Sequence, residues 1–361
     1  MKKLRNVIIW IIISVVVQSG ILYYMNKYMF KNITKVSYKI IKSEEKKKTL
    51  SISVPQDADG IQVSATGKYV SYTSNSTLHV VKMGTGEDKT VKLNCDFSDA
   101  YAKWRVSEDV LVLIEKVENG IKVYKYDPST GESQQALDFN NNAITYKLTR
   151  SSSSIIGLQS NDLNTIMYLK EQAVSGNLYI DRLDISGENV KMPIGITKVG
   201  DYYVFKAEDK VVLEDLENNK IVMATSDSTQ NLDIPGVSNP KLLNVDSQGN
   251  VYIGNIVNDK ITEIYTASLN SKSKSEDSTF TANWNKISLK EPIDRKYVYV
   301  SDLGDIYIVD HLKGEILNAK NNNSRVASFN NMYVTMYGDS ESGGIISRDL
   351  DNNKLIETPI K

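Results

Sequence analysis

One polar turn, repeated along the chain, constrains the fold more than any other feature. It stands as Gly84-Thr85-Gly86-Glu87, Asp127-Pro128-Ser129-Thr130-Gly131-Glu132, Asp184-Ile185-Ser186-Gly187-Glu188, Glu217-Asn218-Asn219-Lys220, Lys313-Gly314-Glu315 and Asp351-Asn352-Asn353-Lys354. Gly and Asn supply the positive φ that tight hairpins need. Short runs rich in Val, Ile and Tyr lie between the turns, among them 68–72, 110–115, 202–206, 251–253 and 332–337. Such residues suit a pleated surface. Alternation is plain in Tyr297-Val298-Tyr299-Val300, and no amphipathic helix is legible after residue 48. Successive turns lie roughly 32 to 56 residues apart, except for one gap of about twice that from Asn219 to Gly314. Counted as two, that gap gives a mean spacing of about 45. Each repeat reads as a strand, a hairpin into a second strand, the polar turn and an outer strand.

A unit of that length and pattern is one four-stranded propeller blade. The chain is therefore predicted to be all-β, a β-propeller preceded by one N-terminal transmembrane helix. Units fall near 61–93, 101–137, 144–190, 196–224, 241–270, 284–318 and 326–360. Seven is the best count, with six and eight as its neighbours. A ring must join its first and last blades. Residues 49–54, Thr-Leu-Ser-Ile-Ser-Val, alternate before the first unit and are expected to complete the last blade beside 354–360, removing an open edge.

Three segments carry a resemblance. Val63-Ser64-Ala65-Thr66-Gly67-Lys68-Tyr69-Val70-Ser71-Tyr72 resembles the Ser-Pro-Asp-Gly-Lys repeat of TolB-like propellers and of the N-terminal propeller domain of dipeptidyl peptidase IV relatives. Trp104 to Val112 is similar to a second copy with its leading Trp. Asp246-Ser247-Gln248-Gly249-Asn250-Val251-Tyr252-Ile253 resembles the Asp-x-x-Gly-Asn-Val-Tyr turn of other propellers. The Pro and Asp of the first motif are missing, and later units keep little of it. The resemblance implies a propeller from about residue 50 onward, without the hydrolase domain that accompanies the peptidase propeller, and is silent on function.

Residues 7–25 form an apolar run without charge, behind Lys2, Lys3 and Arg5. As a helix it reaches about 28 Å, against roughly 30 Å of bilayer hydrocarbon. Trp10, Tyr23 and Tyr24 lie toward its ends, where amphipathic rings favour the interface. The alternative is a cleaved leader with Val17-Gln18-Ser19 as its site. The expected organisation is a cytoplasmic tail at 1–6, a signal-anchor at 7–25, a basic stalk at 26–48 and the propeller at 49–361. Lysines flank both ends of the span. An N-in, C-out, single-pass placement in a cell membrane is preferred, because large following domains translocate largely regardless of charge.

Residues 1–48 carry eleven basic and two acidic side chains, leaving 32 basic and 42 acidic for the rest. A domain of net −10 repels nucleic acid. Two His and one Cys do not furnish a structural zinc site, and no cofactor is expected. Gly338-Asp339-Ser340-Glu341-Ser342 approaches a nucleophile elbow but lacks its final Gly and the following helix. His79 and His311 read as a strand and a turn residue. Acid pairs such as Glu108-Asp109 are expected by number alone in so acidic a domain. Residues 268–279 read as a polar loop, either a recognition loop or a tolerated insertion.

Trp104, Asp246 and Trp284 are the candidates for the propeller face. The two indoles read either as an aromatic shelf or as packing between blades, and Asp246 as a turn cap. The expected role is a membrane-tethered, extracytoplasmic, non-catalytic binding or scaffold module for a protein or cell-envelope polymer. The alternative is an envelope glycan hydrolase or lyase with acids gathered at the axis.

Overall fold

The computed structural model describes residues 10, 14, 15, 17–19, 23, 24 and 49–360, apart from 119, 149, 151–152, 163–164, 193, 270–278 and 322. In the N-terminal unit the described residues are helical, Trp10, Tyr23 and Tyr24 are exposed, and the Gln18 amide donates to Ser14 Oγ at 3.2 Å. Among the described residues no helix is long and apolar enough to cross a membrane. The expected span lies largely, and the stalk wholly, outside the described residues.

The second unit, residues 47–361, is built from seven sheets, antiparallel except for one added strand. Blade 1 consists of β2 (Asp59–Val63), β3 (Tyr69–Ser74), β4 (Thr77–Lys82) and β5 (Asp88–Thr90). Blade 2 follows as β6 (Ala100–Trp104), β7 (Leu111–Val117), β8 (Gly120–Asp127) and β9 (Glu132–Gln135). Blade 3 is β10 (Ser154–Ser160), β11 (Ile166–Gln172), β12 (Leu178–Asp184) and β13 (Asn189–Lys191). In blade 4 the strands are β14 (Val199–Val204), β15 (Val211–Asp215), β16 (Lys220–Ala224) and β17 (Thr229–Asp233). Blade 5 has β18 (Pro240–Val245), β19 (Asn250–Val257), β20 (Lys260–Ser268) and, after the 270–278 segment, β22 (Asn285–Ile293). The intervening β21 (Thr279–Thr281) adds to blade 4, parallel to β17. Blade 6 is β23 (Val298–Val300), β24 (Ile306–Asp310), β25 (Glu315–Asn318) and β26 (Ser324–Ser328). Blade 7 takes β27 (Met332–Tyr337), β28 (Gly344–Asp349) and β29 (Lys354–Pro359) from the end of the chain and β1 (Leu50–Ser53) from its beginning.

The closure expected from the sequence is present. Leu50 pairs with Glu357 and Ser53 with Lys354 in an antiparallel ladder. Arg348 pins the segment that follows β1, donating to the carbonyls of Ala58 (2.8 Å), Gln56 (2.9 Å) and Pro55 (3.2 Å). The first strands of the blades are innermost. β27, β2, β6, β10, β14, β18 and β23 pack one against the next, and the Tyr299 hydroxyl completes the circle by donating to the Gly338 carbonyl at 3.0 Å.

Apolar clusters fill the spaces between blades. Ile52, Val54, Tyr72, Ile346 and Leu355 join blades 7 and 1, and Val80, Trp104, Leu111 and Tyr126 join blades 1 and 2. Each such side chain contributes about 1.5–3 kcal/mol by leaving water. A lone blade leaves both faces wet, so the ring is the unit of stability.

Two details differ from the sequence reading. The repeated polar turn joins the third and fourth strands in blades 1–3 but the second and third in blades 4, 6 and 7. That switch accounts for the short interval between Gly187 and Asn219. The segments 285–293 and 324–328 are outer strands of blades 5 and 6, whereas the sequence assigned them to the units that follow.

Candidate binding face

Antiparallel strand order sorts the loops into two ends. Turns from first to second strand share one end of the ring with turns from third to fourth. Turns from second to third strand share the other end with the links between blades. The first-to-second turns, at 64–68, 105–110, 161–165, 205–210, 246–249, 301–305 and 338–343, and the third-to-fourth turns at 83–87, 128–131, 185–188, 225–228 and 319–323 together hold thirteen acidic and five basic side chains. The second-to-third turns and inter-blade links together hold nine acidic and seven basic. One end is thus strongly acidic and the other nearly balanced.

The acidic end is tied together from blade to blade. Thr66 donates to the Asp109 carboxylate through its N–H (2.9 Å) and hydroxyl (2.5 Å). Arg105 donates to the Asp162 carbonyl at 2.9 Å, and the Asp162 N–H to the Lys206 carbonyl at 3.0 Å. The Lys206 ammonium, from blade 4, pairs with the Asp302 carboxylate of blade 6. Blade 5 joins the same point, since Ser247 donates from its N–H and its hydroxyl to the Asp302 carbonyl, each at 2.9 Å. Burial raises the Asp302 carboxyl above its ordinary value even with Lys206 opposing. The Asp109 carboxylate holds the turn of blade 1, and the Asp302 carboxylate ties blade 6 to blade 4.

The balanced end carries something the fold does not require. Five consecutive blades, 3 to 7, expose an aliphatic side chain at the hairpin between second and third strands: Val174, Leu216, Val257, Leu312 and Leu350, with exposures from 44% to 87%. Phe139, in the link from blade 2 to blade 3, is 76% exposed at the same end. In blades 4 and 7 the hairpins are near copies, Asp215-Leu216-Glu217-Asn218-Asn219-Lys220 and Asp349-Leu350-Asp351-Asn352-Asn353-Lys354. Asp215 Oδ1 accepts from the N–H of Glu217 (3.0 Å) and Asn218 (3.1 Å). Asp349 Oδ1 accepts from Asp351 and Asn352, both at 3.1 Å. Asn219 and Asn353 take φ of 53° and 50°. The Asp and Asn make the turn; Leu350 is 59% exposed, whereas Leu216, at 44%, also donates its N–H to the Lys198 carbonyl at 3.0 Å and lies close to Gly200. Exposed aliphatics arranged in series mark an interaction surface more than scattered ones do.

Trp104 ends β6 inside the blade 1–blade 2 core. It is 5% exposed, its indole N–H donates to Ser71 Oγ at 2.9 Å, and its ring stacks on Tyr69 at 6.3 Å. Trp284 is half-buried just before the outer strand of blade 5, packs against the apolar cluster shared by blades 4 and 5, and donates to the Asp233 carbonyl of the outer strand β17 at 2.8 Å. Asp246 is 2% exposed and accepts from the N–H of Gln248 and Asn250, the Asn250 amide and the Tyr252 hydroxyl, at 2.8–2.9 Å. The structure does not bring these three together. His79 stacks on Tyr72 in blade 1 and His311 on Tyr297 in blade 6. The 338–342 segment is the first-to-second turn of blade 7, with Asp339 Oδ1 accepting from the N–H of Glu341 and Ser342. On the innermost strands the acids are Asp59 and Asp201, and Asp201 pairs with Arg295 at 2.6 Å. Among the described residues no three His, Cys, Asp or Glu side chains gather as metal ligands. The aliphatic tips went unread in the sequence; their signal was a leucine set inside an otherwise polar turn.

Seven sheets in a ring, six of four strands and one of five, define the class as a seven-bladed β-propeller. No protein-family model matches the chain, and no curated protein sequence does. Solved structures do. The β-propeller domain of Myceliophteria thermophila Cps50 (Swd1) is similar at a TM-score of 0.52 and 9% identity, covering 86% of this chain and 98% of that one. An oligogalacturonate lyase in complex with manganese is similar at 0.57 and 10% identity, covering 85% and 92%. At such identities the likeness concerns the fold alone.

Proposed function

We propose that this chain is a membrane-tethered, extracytoplasmic, non-catalytic propeller that docks a protein partner on its balanced end. The observation that carries this reading is the series of exposed aliphatic tips on five consecutive blades. Loops on a rigid ring form a broad surface, and dispersed aliphatic contacts with few net charges suit a folded protein better than a polyanion. The tether rests on the apolar run at 7–25 with Trp10, Tyr23 and Tyr24 at its ends. Residue 50 begins the fourth strand of blade 7 at the acidic end of the ring.

Photo-crosslinking in cells tests both parts. A crosslinking side chain at Leu312 or Leu350 should give a discrete protein adduct in the membrane fraction, whereas one at Leu303, exposed on the acidic end, should not. Adducts of equal yield from both ends would refute the docking face. Recovery of the unmodified chain outside the membrane fraction would refute the tether.

A further inference from the structure

A cavity of about 430 Å³ opens beside the balanced end, between β12, β13 and the link at 192–198. Met192, Ile194 and Ile196 give it an apolar wall, and the Tyr179 ring stands opposite. Its charged lining residues are Arg150 and Lys191, and among the described residues no Asp or Glu lines it. That inverts the balance of a domain in which acids outnumber bases 42 to 32.

Arg150 is fixed in place. Its Cζ lies 3.9 Å from the Tyr179 ring centroid. From behind, its Nη1 stands 3.2 Å from both carboxylate oxygens of Asp181 and 3.5 Å from Glu171 Oε2, and both acids are fully buried. Ser153 Oγ bridges the assembly, 2.8 Å from the Arg150 carbonyl and 2.5 Å from Glu171 Oε2. Burying two carboxylates is costly unless they are paired. Here they hold one guanidinium over an aromatic ring at the lip of a cavity. Lys191 extends over the same ring, its Nζ 6.0 Å from the centroid, and is exposed. A purely apolar ligand has no use for two cations placed on one side. A polyanion would meet the buried acids behind Arg150 and the acidic domain around them.

We propose that this cavity binds an aliphatic carboxylate, its charge beside Lys191 and Arg150 and its hydrocarbon against Met192, Ile194 and Ile196. A free fatty acid and a peptide ending in an aliphatic residue both present that chemistry. The site is separate from the aliphatic tips and stands whether or not they dock a protein.

Calorimetry on the full chain in nanodiscs, with empty nanodiscs as blank, tests it using hexanoate, hexanol and acetyl-Gly-Gly-Leu as the acid and as the amide. At least one carboxylate should bind one-to-one and about tenfold or more tighter than its neutral counterpart, a difference of about 1.4 kcal/mol. Lys191→Glu should weaken it by a similar factor, and Ile196→Trp should fill the space and abolish it, with both variants melting like the parent. Binding of hexanoate alone assigns the site to a fatty acid; binding of the peptide acid alone assigns it to a chain terminus. Equal binding of acid and neutral forms, no binding of either carboxylate, or indifference to Lys191→Glu overturns the proposal.

Discussion

Two aspartates that make the same kind of turn differ in consequence because of where they sit. Asp246 is buried and receives four donors, one of them the Tyr252 hydroxyl. Its removal leaves the buried Tyr252 hydroxyl without that acceptor and frees three donors of Gln248 and Asn250. Asp246→Ala should lower stability by about 2–4 kcal/mol in urea unfolding, given the cost of orphaned buried donors. Asp349 makes matching contacts in open solvent, so Asp349→Ala should move the midpoint far less, because water replaces the lost acceptor. Side-chain and backbone donors hold the turn carboxyls Asp127, Asp349 and Asp310 below the ordinary value of 3.8. Their contribution is complete above that value and is lost as pH falls through the folded values. Glu171 runs the other way. Burial raises its carboxyl from 4.5, so the folded state holds the extra proton and stability declines as pH climbs through the window above 4.5. Glu171→Gln should therefore compare more favourably with the parent at pH 8 than at pH 5 in melting temperature. An identical difference at both would show that Glu171 ionises normally in the fold.

Strand patterning made the blades legible, and turn chemistry made their number legible, but the two together did not place the turns. An Asp-initiated turn ending in Gly or Asn suits any tight antiparallel hairpin. Asp127–Gly131 uses it after the third strand of blade 2, and Asp349–Asn353 after the second strand of blade 7. The sequence period survives this ambiguity because either hairpin occurs once per blade. Closure was readable for a different reason: residues 49–54 alternate, and Ile52 points inward at 4% exposure against Tyr72, Ile346 and Leu355. Ile52→Asp places an unpaired charge in that cluster and should cost about 3 kcal/mol or more. Hydrogen exchange should then show β1 and β29 losing protection first. Retained protection in β1 would mean that the ladder with β29, and not the Ile52 contact, carries the closure.

Across the ring, one end is a web of acids occupied with holding turns, and the other displays aliphatic tips on a balanced ground. That asymmetry was hidden in the sequence, because the loops of each end alternate along the chain and only the strand order separates them. Trp104 attracted attention as a large aromatic, yet a large aromatic at the end of an innermost strand is what fills a gap between blades, while Leu216 and Leu350 looked like unremarkable turn residues. The same topology yields a test of how the ring is closed. β29 runs toward the acidic end and β1 starts there, with Leu50 opposite Glu357. A short hairpin from residue 360 back to residue 49 therefore turns a closure between chain ends into a local one, without changing a single ladder contact. A chain beginning at Pro55 and carrying 49–54 behind Lys361 through a turn of about two to five residues should melt close to the 49–361 domain. It should also refold faster, because a local hairpin replaces the pairing of most distant sequence separation. The 55–361 chain without that strand exposes the β29 edge and should melt well below both. Should the permuted chain instead melt with the truncated one, the covalent link from β1 into blade 1 at Val54–Pro55, and not the strand itself, would be what holds blade 7 to its neighbour.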